Sequence, residues 1–216
     1  STFITEANEV GTKLPQEISR ANLFNYIEQE LKAIENELKN PRTNEYGRVD
    51  KGAAWALLAR MYLNAQVYTG SARWSDAITY ASKVIAGGYS LHGNYRELFM
   101  ADNDKRTNEI IFAITCDGLK ARSYGNTSFF IHAAAGGDYD DFGTNQGWFG
   151  YRATKGLADR FPDLTGATDR RAMFTTSLYG TSAAQIVIND IADFSNGLHV
   201  AKWRNIRSDA QPVSDA

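Results

Sequence analysis

GRVDKGAAWALLARMYLNAQVYTGSARWSDAITYASKVIAGGYSL, residues 47–91, is the stretch that decides the fold. Its first half predicts a helix from about Val49 to Tyr68, whose alanines Ala53, Ala54, Ala56, Ala59 and Ala65 let a second helix approach closely. Its second half predicts a helix from about Trp74 to Ala86. Trp74, Ile78, Ala81 and Ile85 recur there at helical spacing and define an apolar face, and Gly87-Gly88 stops the helix. Together the two make an antiparallel hairpin.

Within that hairpin Trp55, Leu58, Ala59 and Tyr62 fit the first half of the tetratricopeptide consensus, which asks for an aromatic, a leucine, a small residue and a tyrosine at those spacings. Ala77 and Ala81 have the separation expected in its second half, although alanine replaces the usual aromatic at the latter position and the connecting loop is long. A single repeat cannot bury its own faces, so further helices must stack on it. One is supplied upstream: from Gln16 to about Lys39, Leu23, Ile27, Leu31, Ile34 and Leu38 recur every three or four residues, with Glu and Lys on the other face. Pro15 opens this helix and Asn40-Pro41 ends it.

Downstream the pattern changes. Tyr95–Met100 reads as a short apolar turn, and Glu109–Thr115 as a buried strand followed by a buried, inert Cys116. Residues 117–152 then place eight aromatic residues and seven glycines in 36 positions with no sustained helical or strand period. Tyr124, Tyr139, Phe142, Trp148, Phe149 and Tyr151 lie among Gly, Asn, Ser and Asp, which set turns rather than fill cores. Rings held at a surface by such turns can stack on the C–H face of a sugar while neighbouring amides take its hydroxyls. The same rings would also serve to cover an edge of the core. Further on, Ala153–Phe161 reads as a short helix, and Met173–Leu178, Ile186–Ile188 and Val200–Trp203 as short strands.

Several chemistries are disfavoured. Lys plus Arg number 23 against 25 Asp plus Glu, with no long run of one sign, so no nucleic-acid partner is expected. One cysteine excludes an internal disulfide and a four-thiolate zinc site. There is no run of about twenty apolar residues to span a bilayer. The first residues, STFITEANEVGTKLP, have neither the basic start nor the apolar core of a signal peptide. His92, His132 and His199 lie far apart and lack the i, i+4 partner of a helical metal site, which makes them core or surface histidines. G-x-S-x-G and the common phosphate loops are absent. Glycoside hydrolysis would draw on Asp138, Asp140 and Asp141, but it needs carboxyls roughly 5–9.5 Å apart across the scissile bond, and adjacent loop aspartates are ordinarily turn-formers. Asp102 and Asp104 could both reach one calcium ion from a single loop, the only cofactor the residues suggest.

The hairpin of residues 47–91, the segment NEIIFAI at 108–114, and GWFGYRATKGLADRF at 147–161 followed by DRR at 169–171 together resemble the SusD family of glycan-binding outer-membrane lipoproteins. The resemblance implies a mainly α fold: tetratricopeptide-like helical hairpins, a loop-rich ligand-binding region and a few short strands. Residues 1–100 would form the helical part and 101–216 the glycan-binding part of the same domain. Family members are considerably longer, so the chain reads as a central fragment, and their lipid-bearing N-terminal cysteine is absent from these residues. The resemblance further implies non-catalytic binding of starch or malto-oligosaccharides along an aromatic arc. Its rings here correspond to Tyr124 and Trp148, and the nearby Asn126, Asn145, Gln146 and Arg152 are candidates for contacting hydroxyls. It implies delivery to a TonB-dependent transporter of the SusC type at the outward face of a Gram-negative outer membrane, reached only through a lipid anchor. The alternatives are a helical-repeat scaffold that binds protein and no glycan, and a glycoside hydrolase.

Overall fold

A computed structural model of the chain describes residues 2–6, 8–9, 11, 14–116, 127–137, 139–175, 177–178, 182–183, 185–211 and 213. It is mainly helical with a few short strands, as the sequence implies. Contacts divide it into two units, Ser1–Leu91 with Asn108–Ile114, and His92–Thr107 with Thr115–Ala216. Among the described residues no helix is long and apolar enough to cross a membrane.

The first unit is built on helices α1 (Arg20–Ile34), α2 (Lys51–Leu63), α3 (Ala65–Thr69) and α4 (Trp74–Ala86). Helix α1 starts at Arg20, later than the expected Gln16, because the extended Ser19 caps it, its hydroxyl accepting the Asn22 N–H at 3.2 Å. Asp50 caps α2 in the same manner through Ala53 N–H. The single helix expected from Val49 to Tyr68 is interrupted at Asn64. There the side-chain amide donates to the Arg60 carbonyl at 2.9 Å, a local alternative to continuing the ladder, and α3 follows as a separate turn. Helix α4 has the expected bounds and ends at Gly87-Gly88, where Gly88 takes φ +82°.

The core of this unit gathers Phe24, Leu58, Met61, Tyr62, Ala65, Ala77 and Tyr80, with Ile27, Leu31, Trp55 and Ala59 packed around it. Leu58 and Tyr62 of the repeat signature are therefore buried and Trp55 lies partly buried beside them. The apolar face expected of α4 is corrected. Trp74, Ile78 and Ile85 are 50%, 67% and 76% exposed, and Ala81 is exposed as well. The buried row runs one position out of phase through Ala77 and Tyr80. Two carboxylates of α1 and its cap explain the choice. Glu28 pairs with Arg73 at 3.2 Å and Glu35 with Lys83 at 2.7 Å, while the Arg73 guanidinium lies 4.7 Å from the centre of the Tyr62 ring and the Lys83 ammonium 4.5 Å from that of Tyr80. Rotating α4 to bury Trp74 and Ile78 would break both pairs and the Tyr62–Tyr80 ring contact at 5.5 Å.

Asn108–Ile114 joins this unit through Ser90 and Asn108, whose backbone and side-chain groups bond at 2.9 and 3.1 Å. It opens in a turn at Asn108–Glu109, bends at Ile111 and forms no strand, with no partner ladder among the described residues. Ile114 and Cys116 are exposed, which corrects the expectation of a buried strand and a buried thiol.

In the second unit β1 (Arg152–Ala153), β5 (Leu198–Val200) and β2 (Phe174–Thr175) form an antiparallel sheet in that order, and β3 (Ser177–Leu178) pairs with β4 (Ser182–Ala183). Within the expected Met173–Leu178, Phe174–Thr175 and Ser177–Leu178 are strands, and the last strand falls at Leu198–Val200, slightly before the expected Val200–Trp203. Ile186–Ile188 is not a strand; Gln185 makes only an isolated bridge to Asn196. Helices α5 (Thr127–Ala134), α6 (Tyr139–Phe142) and α7 (Lys155–Ala158) pack on the sheet side and on the Phe142–Ala201 core. Helix α5 corrects the expectation of an aperiodic loop through residues 117–152, because Ile131, Ala133 and Ala134 bury one side of it.

Candidate functional site

The end of α5 carries the aromatic surface. A helix leaves its last carbonyls without intrahelical donors, and here residues 147–151 supply them. Trp148 N–H donates to the His132 carbonyl at 2.7 Å, Tyr151 N–H to that of Ala133 at 2.7 Å, and Phe149 N–H to that of Ala135 at 3.2 Å. The approach is close enough that a Cβ on Gly147 would stand 2.1 Å from the Ala135 carbonyl oxygen, so glycine is required there. Phe149 takes φ +62°, in the left-handed region that non-glycine residues seldom occupy.

Trp148, so placed, is 52% exposed. Its indole stacks on the His132 imidazole with ring centres 5.5 Å apart and planes 25° apart, and Phe129 meets it edge-on at 5.8 Å. Phe130 packs against Tyr151 at 5.7 Å, and Phe129 and Tyr151 are themselves partly exposed. The result is a group of rings on one helix end, fixed from beneath by backbone hydrogen bonds. Such a surface offers flat faces on which the C–H groups of a sugar could stack. Asp140 and Asp141 lie exposed on α6, and Asp138 falls outside the described residues.

The remaining expected site residues divide. Asn145 and Gln146 are exposed next to Trp148, and their side-chain amides have no partner among the described residues. Tyr124 and Asn126 lie outside the described residues. Arg152 is turned elsewhere: its guanidinium donates to the carbonyls of Asp193 at 2.7 Å, Asn196 at 2.6 Å and Ile191 at 2.8 Å, and lies 5.1 Å from the centre of the Phe194 ring. It acts as a clamp on that loop through its two terminal nitrogens. Arg152→Lys cannot span three carbonyls with one ammonium, and we expect it to lower the protection of residues 185–197 in hydrogen exchange by about 1–2 kcal/mol. Unchanged protection there would show that the loop holds itself.

The calcium expectation does not fit. Asp102 is buried, and its carboxylate accepts the Ser208 N–H at 2.9 Å and the Ser208 hydroxyl at 2.7 Å. Lys105 and Arg106 stand 3.5 and 3.6 Å away, so the carboxylate already has cationic partners. Burial by itself would raise its pKa; the Ser208 hydrogen bonds and Arg106 bring it below the usual value. Asp104 is exposed, and among the described residues no group of three or more metal-ligating side chains is gathered.

Phe129 and His132 join the ring group around Trp148, a place the sequence did not lead us to expect for them. The run Phe129-Phe130-Ile131-His132-Ala133-Ala134-Ala135, seven residues free of glycine and proline amid turn-formers, is the signal that marks a helix there.

No family model matches the chain. Across 245 aligned positions it is 38% identical to the starch-binding protein SusD of Bacteroides thetaiotaomicron, an alignment that takes in 94% of this chain and 44% of that relative. The chain thus spans less than half the length of the curated relative it matches.

Proposed function

Taking as premise that this chain belongs to the SusD family, we propose that it binds starch or malto-oligosaccharides by stacking sugar rings on the surface around Trp148, without cleaving them. The observation that carries this is the half-exposed indole, stacked on His132 and met edge-on by Phe129. A glucose C–H face laid on that ring exchanges water for an apolar contact, and Asn145 and Gln146 lie in reach to choose among hydroxyl patterns. The relative's name as a starch-binding protein supports the ligand class. Tyr124 and Asn126 belong to the same arc in this reading, and Arg152 contributes by holding the neighbouring loop rather than by touching sugar. One ring contributes on the order of 1 kcal/mol beyond its area, so several must act together. By family likeness, the whole protein would sit at the outward face of an outer membrane through a lipid anchor and hand its glucan to a TonB-dependent transporter of the SusC type.

Calorimetry with maltoheptaose on the whole protein tests the central claim. Trp148→Ala is expected to weaken binding roughly tenfold or more, through loss of both stacking and apolar area. The glucan should be intact afterwards. Full affinity in the variant would remove Trp148 from the site, and new reducing ends that vanish in Asp140→Asn would favour a hydrolase.

A further inference from the structure

A half-exposed tryptophan is normally free to change rotamer, and ordering it on binding costs affinity. Trp148 is constrained in a specific way: besides the edge-on Phe129 ring, one residue holds both its backbone and its indole. The His132 carbonyl accepts the Trp148 N–H at 2.7 Å, and the His132 imidazole lies against the Trp148 indole at 5.5 Å. That imidazole is itself fixed. Its Nδ1 is 3.1 Å from the Thr144 hydroxyl oxygen and 3.1 Å from the Gln146 carbonyl oxygen, while the Thr144 hydroxyl donates to the same Gln146 carbonyl at 2.9 Å. With the hydroxyl proton spent on Gln146, both neighbours present lone pairs to Nδ1, and this assigns the ring proton to Nδ1. The ring can then neither flip nor swing without losing that bond.

We infer that His132, locked by Thr144, is a positioning residue that holds the Trp148 indole in its binding orientation before the glucan arrives. This rests on the proposed role of Trp148 and adds the device that sets its geometry. His132 already occupies one face of the indole, so a sugar ring stacking on Trp148 would take the other face. Its contribution is preorganisation: the rotamer freedom of Trp148 is surrendered on folding and not on binding. Thr144 belongs to the turn that leads from α6 into residues 147–151, so one hydroxyl ties the turn, the helix end and the aromatic platform together.

The test compares His132→Ala, His132→Phe and Thr144→Val with Trp148→Ala in the whole protein. The readouts are maltoheptaose calorimetry and near-UV circular dichroism, taking the difference from Trp148→Phe to isolate that indole. His132→Ala is expected to weaken binding roughly 3- to 10-fold, the range set by immobilising one side chain, and to shrink the Trp148 dichroic signal. His132→Phe restores a flat ring beneath the indole and should recover most of both. Thr144→Val keeps the stack and leaves Nδ1 with the Gln146 carbonyl as its one remaining partner, so it should give a smaller loss of each; it also carries the test if His132→Ala fails to fold. Full affinity in His132→Ala and Thr144→Val with Trp148→Ala impaired would overturn the positioning role and leave the stacking site standing. A His132→Phe variant as weak as His132→Ala would overturn it too. Full affinity in Trp148→Ala would instead bring down the site itself.

Discussion

Gly147→Ala is expected to abolish glucan binding and to destabilise the unit that carries the aromatic surface by about 3 kcal/mol or more, the cost of breaking two or three buried backbone hydrogen bonds. A Cβ at this position would lie 2.1 Å from the Ala135 carbonyl oxygen, 2.6 Å from the Ala135 Cβ and 2.7 Å from the Ala135 carbonyl carbon, all under the 3.0 Å that real Cβ atoms keep. Two of these atoms are backbone at a helix end, which cannot give way as a flexible side chain can. Residues 147–151 must therefore withdraw from α5, and the bonds from Trp148, Phe149 and Tyr151 to the terminal carbonyls go with them. Trp148 leaves its His132 backing at the same stroke. Urea unfolding followed on near-UV dichroism, together with maltoheptaose calorimetry, measures both effects. Gly150→Ala is the comparison, because a Cβ there meets nothing nearer than the Trp148 carbonyl oxygen at 3.9 Å. A Gly147→Ala protein that binds and unfolds like the parent would mean that the segment does not dock as described.

The contrast between these two glycines shows what the sequence could and could not disclose about the site. An aromatic-rich, glycine-rich stretch was legible as rings set among turn-formers, and it was the family resemblance that singled out Trp148 within it. The requirement for glycine at 147 was not, since it arises from the end of a helix reached through chain folding. Helix α5 carried a signal only in its freedom from glycine and proline, because Phe129–Ala134 holds one polar residue, His132, too few to create a period. His132 looked like any isolated histidine until the turn at Thr144 and Gln146 came round to it.

In the helical unit the same limit appears differently. The bounds of α4 were legible from its spacing and its Gly-Gly stop, while its rotation was not. Two rows of side chains on α4 share the helical period, and hydrophobicity alone favours Trp74, Ile78 and Ile85. The row that is buried pairs small Ala77 with Tyr80, and is flanked by Arg73 and Lys83, whose long stems cover apolar surface while their heads reach Glu28 and Glu35. A pattern reader assigns those glutamates to the solvated side of α1. The structure uses them as the fasteners between α1, α2 and α4.

Glu28 tests that use directly, and Glu28→Ala is expected to cost the helical unit about 2–3 kcal/mol, the loss of a partly buried carboxylate that accepts from the buried Tyr62 hydroxyl and two cations. Its side chain is 13% exposed. One oxygen accepts the Tyr62 hydroxyl and the Lys32 ammonium, each at 2.7 Å, and the Arg73 guanidinium at 3.2 Å. Alanine would leave the Tyr62 hydroxyl in the core without its acceptor and Arg73 with only Asp76. Burial by itself would raise the Glu28 pKa, but the bonds from Lys32, Tyr62 and Arg73 outweigh it and hold the group at about 2, against 4.5 for the free side chain. Because the folded value lies below the unfolded one, the stabilisation is complete above pH 4.5 and is lost as the pH falls from there towards 2. Integrated over that window it amounts to on the order of 3 kcal/mol. The upward shifts at Lys32 and Arg73 express the same interactions from the other side and are not added. Glu28→Gln keeps an acceptor for Tyr62 but has no charge to lose, so the stability gap between parent and variant should be widest near neutrality and close as the pH is lowered through this window. Glu35, whose pKa is also lowered, titrates in both proteins and cancels from the difference. Denaturant midpoints measured from pH 7 down to pH 2.5 give the curve, and a gap that stays constant would mean that Glu28 contributes shape and not charge.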